Sequence, residues 1–296
     1  MDTERPSPRF ADIDLWDPAD ILEAMIGGQF TAVAAVRAAL RAIERAALAM
    51  ERRLVSTGRI VYAGAGTSGR LAVQDGAELM PTFGWPRDRL LLWLAGGEEA
   101  MTRAIEGAED EAEKAAELAE RHGLNETDTM IAVAASGTTP FTLACLTEAR
   151  RRGALTIGIA NNVDTPLLRS AEHPIFLNSG AEPIAGSTRM NAGTAQRMAL
   201  TLLSTLLMIR LGRVYRGLMI DVQATNAKLS QRKKEMLRYL TTRNDAAINN
   251  ALARANGNVK IAVLLLHGCD PAKAESLLSS CRGRLRAALA RIQSGG

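Results

Sequence analysis

The sequence predicts an α/β fold: a doubly wound parallel five-stranded sheet, with N-terminal helices and a small C-terminal helical bundle. Three observations lead there. Five short runs, Ile60 to Ala63, Leu90 to Ala95, Met130 to Ala134, Leu155 to Ala160 and Pro174 to Leu177, are too short for helix cores. They are also rich enough in Ile, Val and Leu to be strands buried on both faces. Helix-capable segments separate them, which is the alternation of a parallel sheet. After the last run no further strand series appears, and the remaining pattern is helical.

Taken in order, residues 1 to about 17 read as an irregular arm punctuated by Pro6, Pro8 and Pro18. A helical pattern runs from Ala19 to Met25, breaks at Gly27-Gly28, and resumes from about Thr31 to Ser56. Val33, Val36, Leu40, Ile43 and Leu48 form its expected buried face. The apolar stretch Met198 to Ile209 falls short of the ~20 residues of a membrane span. It reads as part of a buried helix opened by a Ser187-Thr188 cap and reaching Leu211. Between Asp221 and Gln293 several helices are expected, with caps or breaks near Thr241-Thr242, Asn256-Gly257 and Asp270-Pro271. The expected division is residues 1–45 (arm and helices), 46–217 (sheet domain) and 218–296 (bundle).

Composition narrows the function classes. The chain of 296 residues has 47% apolar and 23% charged residues, an ordinary globular balance with enough length for a substantial core. A net charge of +4 and few aromatics argue against a nucleic-acid binder. Cys145, Cys269 and Cys281 are widely spaced and His122, His173 and His267 are isolated, so neither a metal site nor a disulfide framework is expected. The charged, proline-containing N-terminus lacks the apolar run of a signal peptide. A cytoplasmic location is therefore expected.

Four stretches could carry chemistry. The first strand enters Gly64-Ala65-Gly66-Thr67-Ser68-Gly69 and then a helix. Such a turn aims backbone N–H groups and hydroxyls at one point, where the helix dipole also favours an anion. A dinucleotide site would need an acid closing the next strand. Leu90 to Ala95 ends instead in Gly96-Gly97-Glu98, so a small phosphorylated ligand fits better, with a plain tight connection as the alternative. A second hydroxyl-rich turn, Ser136-Gly137-Thr138-Thr139-Pro140, follows the third strand; it reads equally as a capped helix start. The acidic stretch from Glu98 to Glu120 is largely a solvated helix face, although Glu109, just after Gly107, can be turned inward. The fourth, Gly186-Ser187-Thr188-Arg189-Met190-Asn191-Ala192-Gly193, reads as a tightly packed capped helix or a ligand turn.

The blocks GAGTSGRL, DGAELMPTFG, LAGGEEAMTRAIEGAED, AASGTTP and GSTRMNAGTAQ, with DVQATNAKL and an N-terminal TERPSPRFADID, stand in one order over nearly the whole chain. In this the chain resembles the sugar isomerase (SIS) fold and, more narrowly, the N-acetylmuramic acid 6-phosphate etherases, a branch that shares ancestry with the glucokinase regulatory proteins. The resemblance implies a metal-free, cofactor-free lyase of peptidoglycan recycling, cytoplasmic and homodimeric. It would release D-lactate from N-acetylmuramate 6-phosphate and leave N-acetylglucosamine 6-phosphate. It places the acid/base glutamate on Glu78 and a second catalytic glutamate on Glu109. Substrate phosphate recognition falls on Gly66, Thr67, Ser68, Ser136, Gly137 and Thr139, with Ser187 beside them. Four positions depart from the family pattern: Leu79 and Met80, since Leu79-Met80-Pro81 stands for Cys-Pro-Pro, then Thr138 for an arginine and Asn191 for a lysine. Two other readings of the same fold are a non-catalytic sugar-phosphate regulator and an aldose–ketose isomerase.

Overall fold

The computed structural model describes residues 1–223 and 226–294; the DVQATNAKL block therefore falls outside the described residues at positions 224 and 225. The chain divides into two compact units. The first comprises Met1–Gly76 and Asp88–Leu206; the second comprises Ala77–Arg87 and the residues from Leu207 onward.

The sheet of the first unit contains β1 (Ile60–Gly64), β2 (Leu90–Leu94), β3 (Thr129–Val133), β4 (Leu155–Ala160) and β5 (His173–Phe176). Its order is β2-β1-β3-β4-β5, with all neighbours parallel and Ile60 in register with Leu90 and Thr129. Every residue of β1, β3 and β4 is buried, as the continuous apolar runs required. On one face Val61, Ala63, Met130 and Ala132 pack with Ala115 and Ala119 of α3 (Lys114–Arg121) and with Phe141 and Cys145 of α4 (Pro140–Arg151). The chain leaves β1 toward β2 and then crosses to β3 on the other side. Strand order therefore reverses between β1 and β3, and the carboxyl ends of those strands flank the crevice where ligands of open α/β sheets gather.

Two expectations about the N-terminal helices are corrected. Helix α1 runs unbroken from Pro18 to Leu54, through Gly27 and Gly28. The glycines serve close approach instead of a break: a Cβ on Gly28 would stand 2.5 Å from Asn191 Oδ1. Its buried face is made largely of alanines, Ala32, Ala35, Ala39, Ala46 and Ala47, with Val36, Ile43, Met50 and Leu54. Small side chains let the helix lie close against β3, β4 and β5. Val33 and Leu40, expected inside, are 44% and 46% exposed and belong with Leu22, Ile26 and Phe30 to an outward apolar stripe. Length and composition alone would let α1 cross a membrane; its alanine face is instead part of the core of this unit. The arm before it forms three short 3-10 turns and is docked. Thr3 is fully buried, accepts from Asn162 Nδ2 at 2.9 Å through its hydroxyl, and its carbonyl accepts from Gly186 N–H.

Helices α2 (Gly66–Phe83) and α6 (Asn191–Arg210) open in the first unit and close in the second; α5 (Pro166–Ser170) lies between β4 and β5 in sequence. The second unit adds a short hairpin that the sequence did not announce, β6 (Val214–Tyr215) and β7 (Leu218–Met219). It turns on Arg216-Gly217, both at positive φ, the two-residue turn that matches strand twist. Five helices follow: α7 (Ala227–Thr241), α8 (Asp245–Arg254), α9 (Val259–Leu266), α10 (Pro271–Ser280) and α11 (Leu285–Ser294). Asn226, Asn244, Asn258 and Asp270 each accept a backbone N–H of the helix they open, which is why these polar pairs punctuate the apolar pattern. Leu237, Ile248, Val263, Leu264 and Leu285 form the core of the bundle.

Candidate active site

At the end of β1 the chain turns into α2 within one residue, and two glycines make this possible. A Cβ on Gly69 would lie 2.6 Å from the Gly64 carbonyl carbon, and one on Gly64 would lie 2.8 Å from Gly69 Cα. Strand end and helix start thus touch through backbone alone. Gly66 sits between them at φ +52°, in the left-handed region, with open space where a side chain would be. No side chain of the described residues accepts a hydrogen bond from the N–H groups of Gly66, Thr67 or Ser68, and the first turn of α2 carries no acid. The helix therefore opens with unneutralised positive potential.

That opening faces a cavity of about 290 Å³ within the first unit, lined by Gly66, Thr67, Arg70, Ile105, Glu106 and Glu109 among others. Arg70 shapes it. Its guanidinium donates from Nε to the Ala100 carbonyl at 2.6 Å and from Nη2 to the Arg103 carbonyl at 2.8 Å, holding the segment after β2 against α2. Gly107, at φ +73°, then reverses the chain into the 3-10 turn Ala108–Asp110, with Ala108 buried and Glu109 at the cavity. The structure thus brings Gly66, Thr67 and Glu109 to one cavity, with buried Ser68 beside them in the same turn.

Ser136, Gly137 and Thr139 form a separate, self-bonded turn at the end of β3. Ser136 Oγ accepts from Thr138 N–H at 3.2 Å and lies 3.4 Å from Thr139 Oγ1. A Cβ on Gly137 would meet Thr165 Oγ1 at 2.3 Å. Behind it Asn162 donates to the Ala135 carbonyl, and Asn161 bridges Leu177, Ser179 and Gln196. Glu78 lies on the later part of α2, exposed, in the segment that belongs to the second unit. Its successor Leu79 is 1% exposed, so at this departure from the family pattern the leucine serves packing.

The expected cap of α6 is corrected. Ser187 and Thr188 belong to the preceding turn; the helix starts at Asn191, and Glu182 caps it. Both carboxylate oxygens of Glu182 are used, Oε2 by Asn191 N–H and Oε1 by Ala192 N–H, each at 2.8 Å. Burial raises the pKa of this carboxyl and the two amide bonds draw it back. Asp75 was equally inconspicuous: its pKa is raised by burial, and it accepts from Tyr62 Oη at 2.8 Å and Ser204 Oγ at 3.2 Å, tying α2 to β1 and α6. The available signal for Asn161-Asn162 was position, directly after the β4 run; Glu182, nine residues before its partner, left none.

Comparison with known proteins agrees with this architecture. Residues 41–150 match the glucokinase regulatory protein N-terminal SIS domain, and residues 105–206 match the SIS domain. A phosphoheptose isomerase from Francisella tularensis superposes with a TM-score of 0.50 at 19% identity, over 65% of this chain and 98% of that one, a likeness of fold. Two relatives are far more similar. The N-acetylmuramic acid 6-phosphate etherase of Deinococcus radiodurans is 43% identical over 97% of this chain and 94% of its own length; that of Streptomyces avermitilis is 44% identical over 98% and 94%. With the turn glycines, the cavity glutamate and similarity from end to end, the chain belongs to the N-acetylmuramic acid 6-phosphate etherase family.

Proposed function

We propose that this protein is a cytoplasmic lyase of amino-sugar metabolism. It cleaves the D-lactyl ether of N-acetylmuramic acid 6-phosphate to N-acetylglucosamine 6-phosphate and D-lactate, in the recycling of peptidoglycan. Family membership supports the substrate and the reaction. The observation that carries the reading in the structure is the cavity where the uncapped start of α2, with Thr67, meets Glu109. A phosphate there gains the N–H groups of Gly66, Thr67 and Ser68 and the two hydroxyls. Ser136, Gly137 and Thr139, from the facing side of the strand-order reversal, are the second phosphate turn, and Ser187 makes a further, smaller contact.

The chemistry needs only carboxylates. In the open-chain sugar the ether at C3 lies β to the aldehyde. Glu78 takes the C2 proton, and the electron pair of that C–H bond becomes an enolate. Collapse of the enolate expels the lactate oxygen from C3, and the protonated Glu78 returns its proton to that oxygen. Water then adds to C3 of the unsaturated aldehyde, with Glu109 positioning it. A second copy of the chain is the expected partner, which the exposed stripe Leu22, Ile26, Phe30, Val33 and Leu40 on α1 supports.

Incubation of the purified protein with N-acetylmuramic acid 6-phosphate should release D-lactate and N-acetylglucosamine 6-phosphate in equal amounts; sugar-phosphate binding without lactate would overturn the assignment. Glu78→Gln should lower kcat by about 10²- to 10⁴-fold while ligand-induced thermal stabilisation persists.

A further inference from the structure

A second polar cavity, of about 320 Å³, lies wholly within the second unit and shares no residue with the cavity at the start of α2. Gly84, Arg213, Asp221, Lys233, Gly257 and Val259 contribute to its wall. Asp221 is the only acid among the described lining residues, and three cations act on it. Lys260, 5% exposed, donates to Asp221 Oδ2 at 2.5 Å; Arg213 Nη1 stands 3.8 Å from the same oxygen. Lys233 is half-buried, and its ammonium donates to the Gly257 carbonyl at 2.8 Å with no carboxylate in ion-pair range among the described residues.

Three positive charges against one negative leave two uncompensated in a partly desolvated site, an arrangement that is costly unless an anion completes it. Burial lowers the pKa of Arg213, Lys233 and Lys260 alike, and the single carboxylate of Asp221 draws each of them back only in part. The positive end of α9 adds to the field, since its first residue Val259 lines the same cavity. Arg213 also donates to the Phe83 and Gly84 carbonyls at 2.9 and 2.8 Å, so the cavity wall is fastened to the end of α2, the helix of Glu78. We propose that this cavity is a second anion site that takes a phosphoryl group, either free phosphate or the phosphate of a sugar 6-phosphate. A phosphoryl dianion matches the two uncompensated charges where a single carboxylate would not.

Inorganic phosphate titrated into the full-length ¹⁵N-labelled protein should shift the Gly257 and Val259 amides saturably. Lys233→Gln should weaken that binding about tenfold or more, leaving shifts at Gly66 to Ser68 unchanged, and Lys233→Arg should retain it. A parallel titration with N-acetylglucosamine 6-phosphate identifies the source: tighter binding than phosphate at Gly257 and Val259 assigns the site to a sugar phosphate, equal binding to the free ion. Shifts there that grow without saturation mark an adventitious ion only and overturn the proposal, as does an affinity that Lys233→Gln leaves unchanged. The Gly66 to Ser68 amides report the catalytic cavity separately, so failure at one site is distinguishable from failure at the other.

Discussion

Two helices of the first unit begin in similar sequence. Helix α2 opens after Gly64-Ala65 with Gly66-Thr67-Ser68, and α6 opens after Gly186-Ser187-Thr188; both stretches are small, hydroxyl-bearing and free of acids in the first helical turn. Their electrostatics differ. At α6 the chain supplies its own anion, because Glu182 occupies the first two N–H groups with both oxygens. At α2 no side chain of the described residues does so, and the helix end faces a cavity. The same local signal thus yields a closed helix start in one place and a ligand site in the other. What decides between them is whether a distant carboxylate reaches the helix end.

The largest expected effect tests the backbone contact that creates the open end. Gly69→Ala would force a Cβ to 2.5 Å from Leu94 Cδ1 and 2.6 Å from the Gly64 carbonyl, and should cost about 3 kcal/mol in urea unfolding. Gly66→Ala meets only the left-handed backbone penalty, since nothing lies within 4 Å, and should cost about 1 kcal/mol. Equal losses would mean that the close approach of strand and helix does not govern this turn.

Smaller and confined to activity is the effect of the hydroxyls. Thr67→Val should raise KM about 10- to 100-fold, the worth of a hydrogen bond to a charged group, with stability nearly unchanged. Ser187→Ala, beside the helix that already holds its anion, should change KM by less than about threefold. If the two variants were alike, the distinction between an open and a capped helix end would be lost.

Much of the frame was legible because it rests on local chemistry. Strands buried on both faces must be continuous apolar runs, and the five runs are the five strands. The turn glycines and helix caps are equally local, as Asn258 and Asp270 illustrate. Other features are set by partners far away in sequence. Gly28 looks like a helix break until Asn191 is seen against it. Val33 and Leu40 look like core until alanines are found carrying the contact with the sheet. At the site, Gly66 and Thr67 could be read from their turn, whereas Arg70 acquires its role only through the Ala100 and Arg103 carbonyls. Glu182 is one acid in a loop until α6 folds onto it.

Glu182 also offers the finest test. Burial is the larger influence on its carboxyl and the amides of Ala192 and Asn191 the lesser, so its folded pKa lies above the ordinary value. Between the ordinary and the raised value the folded chain binds more protons than the unfolded one, and stability contributed by this group falls as pH rises through that window. Glu182→Gln cannot titrate. Measured by urea unfolding, the variant should therefore compare better with the wild type at neutral pH than on the acid side of the ordinary carboxylate range, while one of the two amides loses its acceptor at every pH. Parallel stability curves would show that Glu182 binds protons equally in the folded and the unfolded chain, the two amide bonds then offsetting its burial in full.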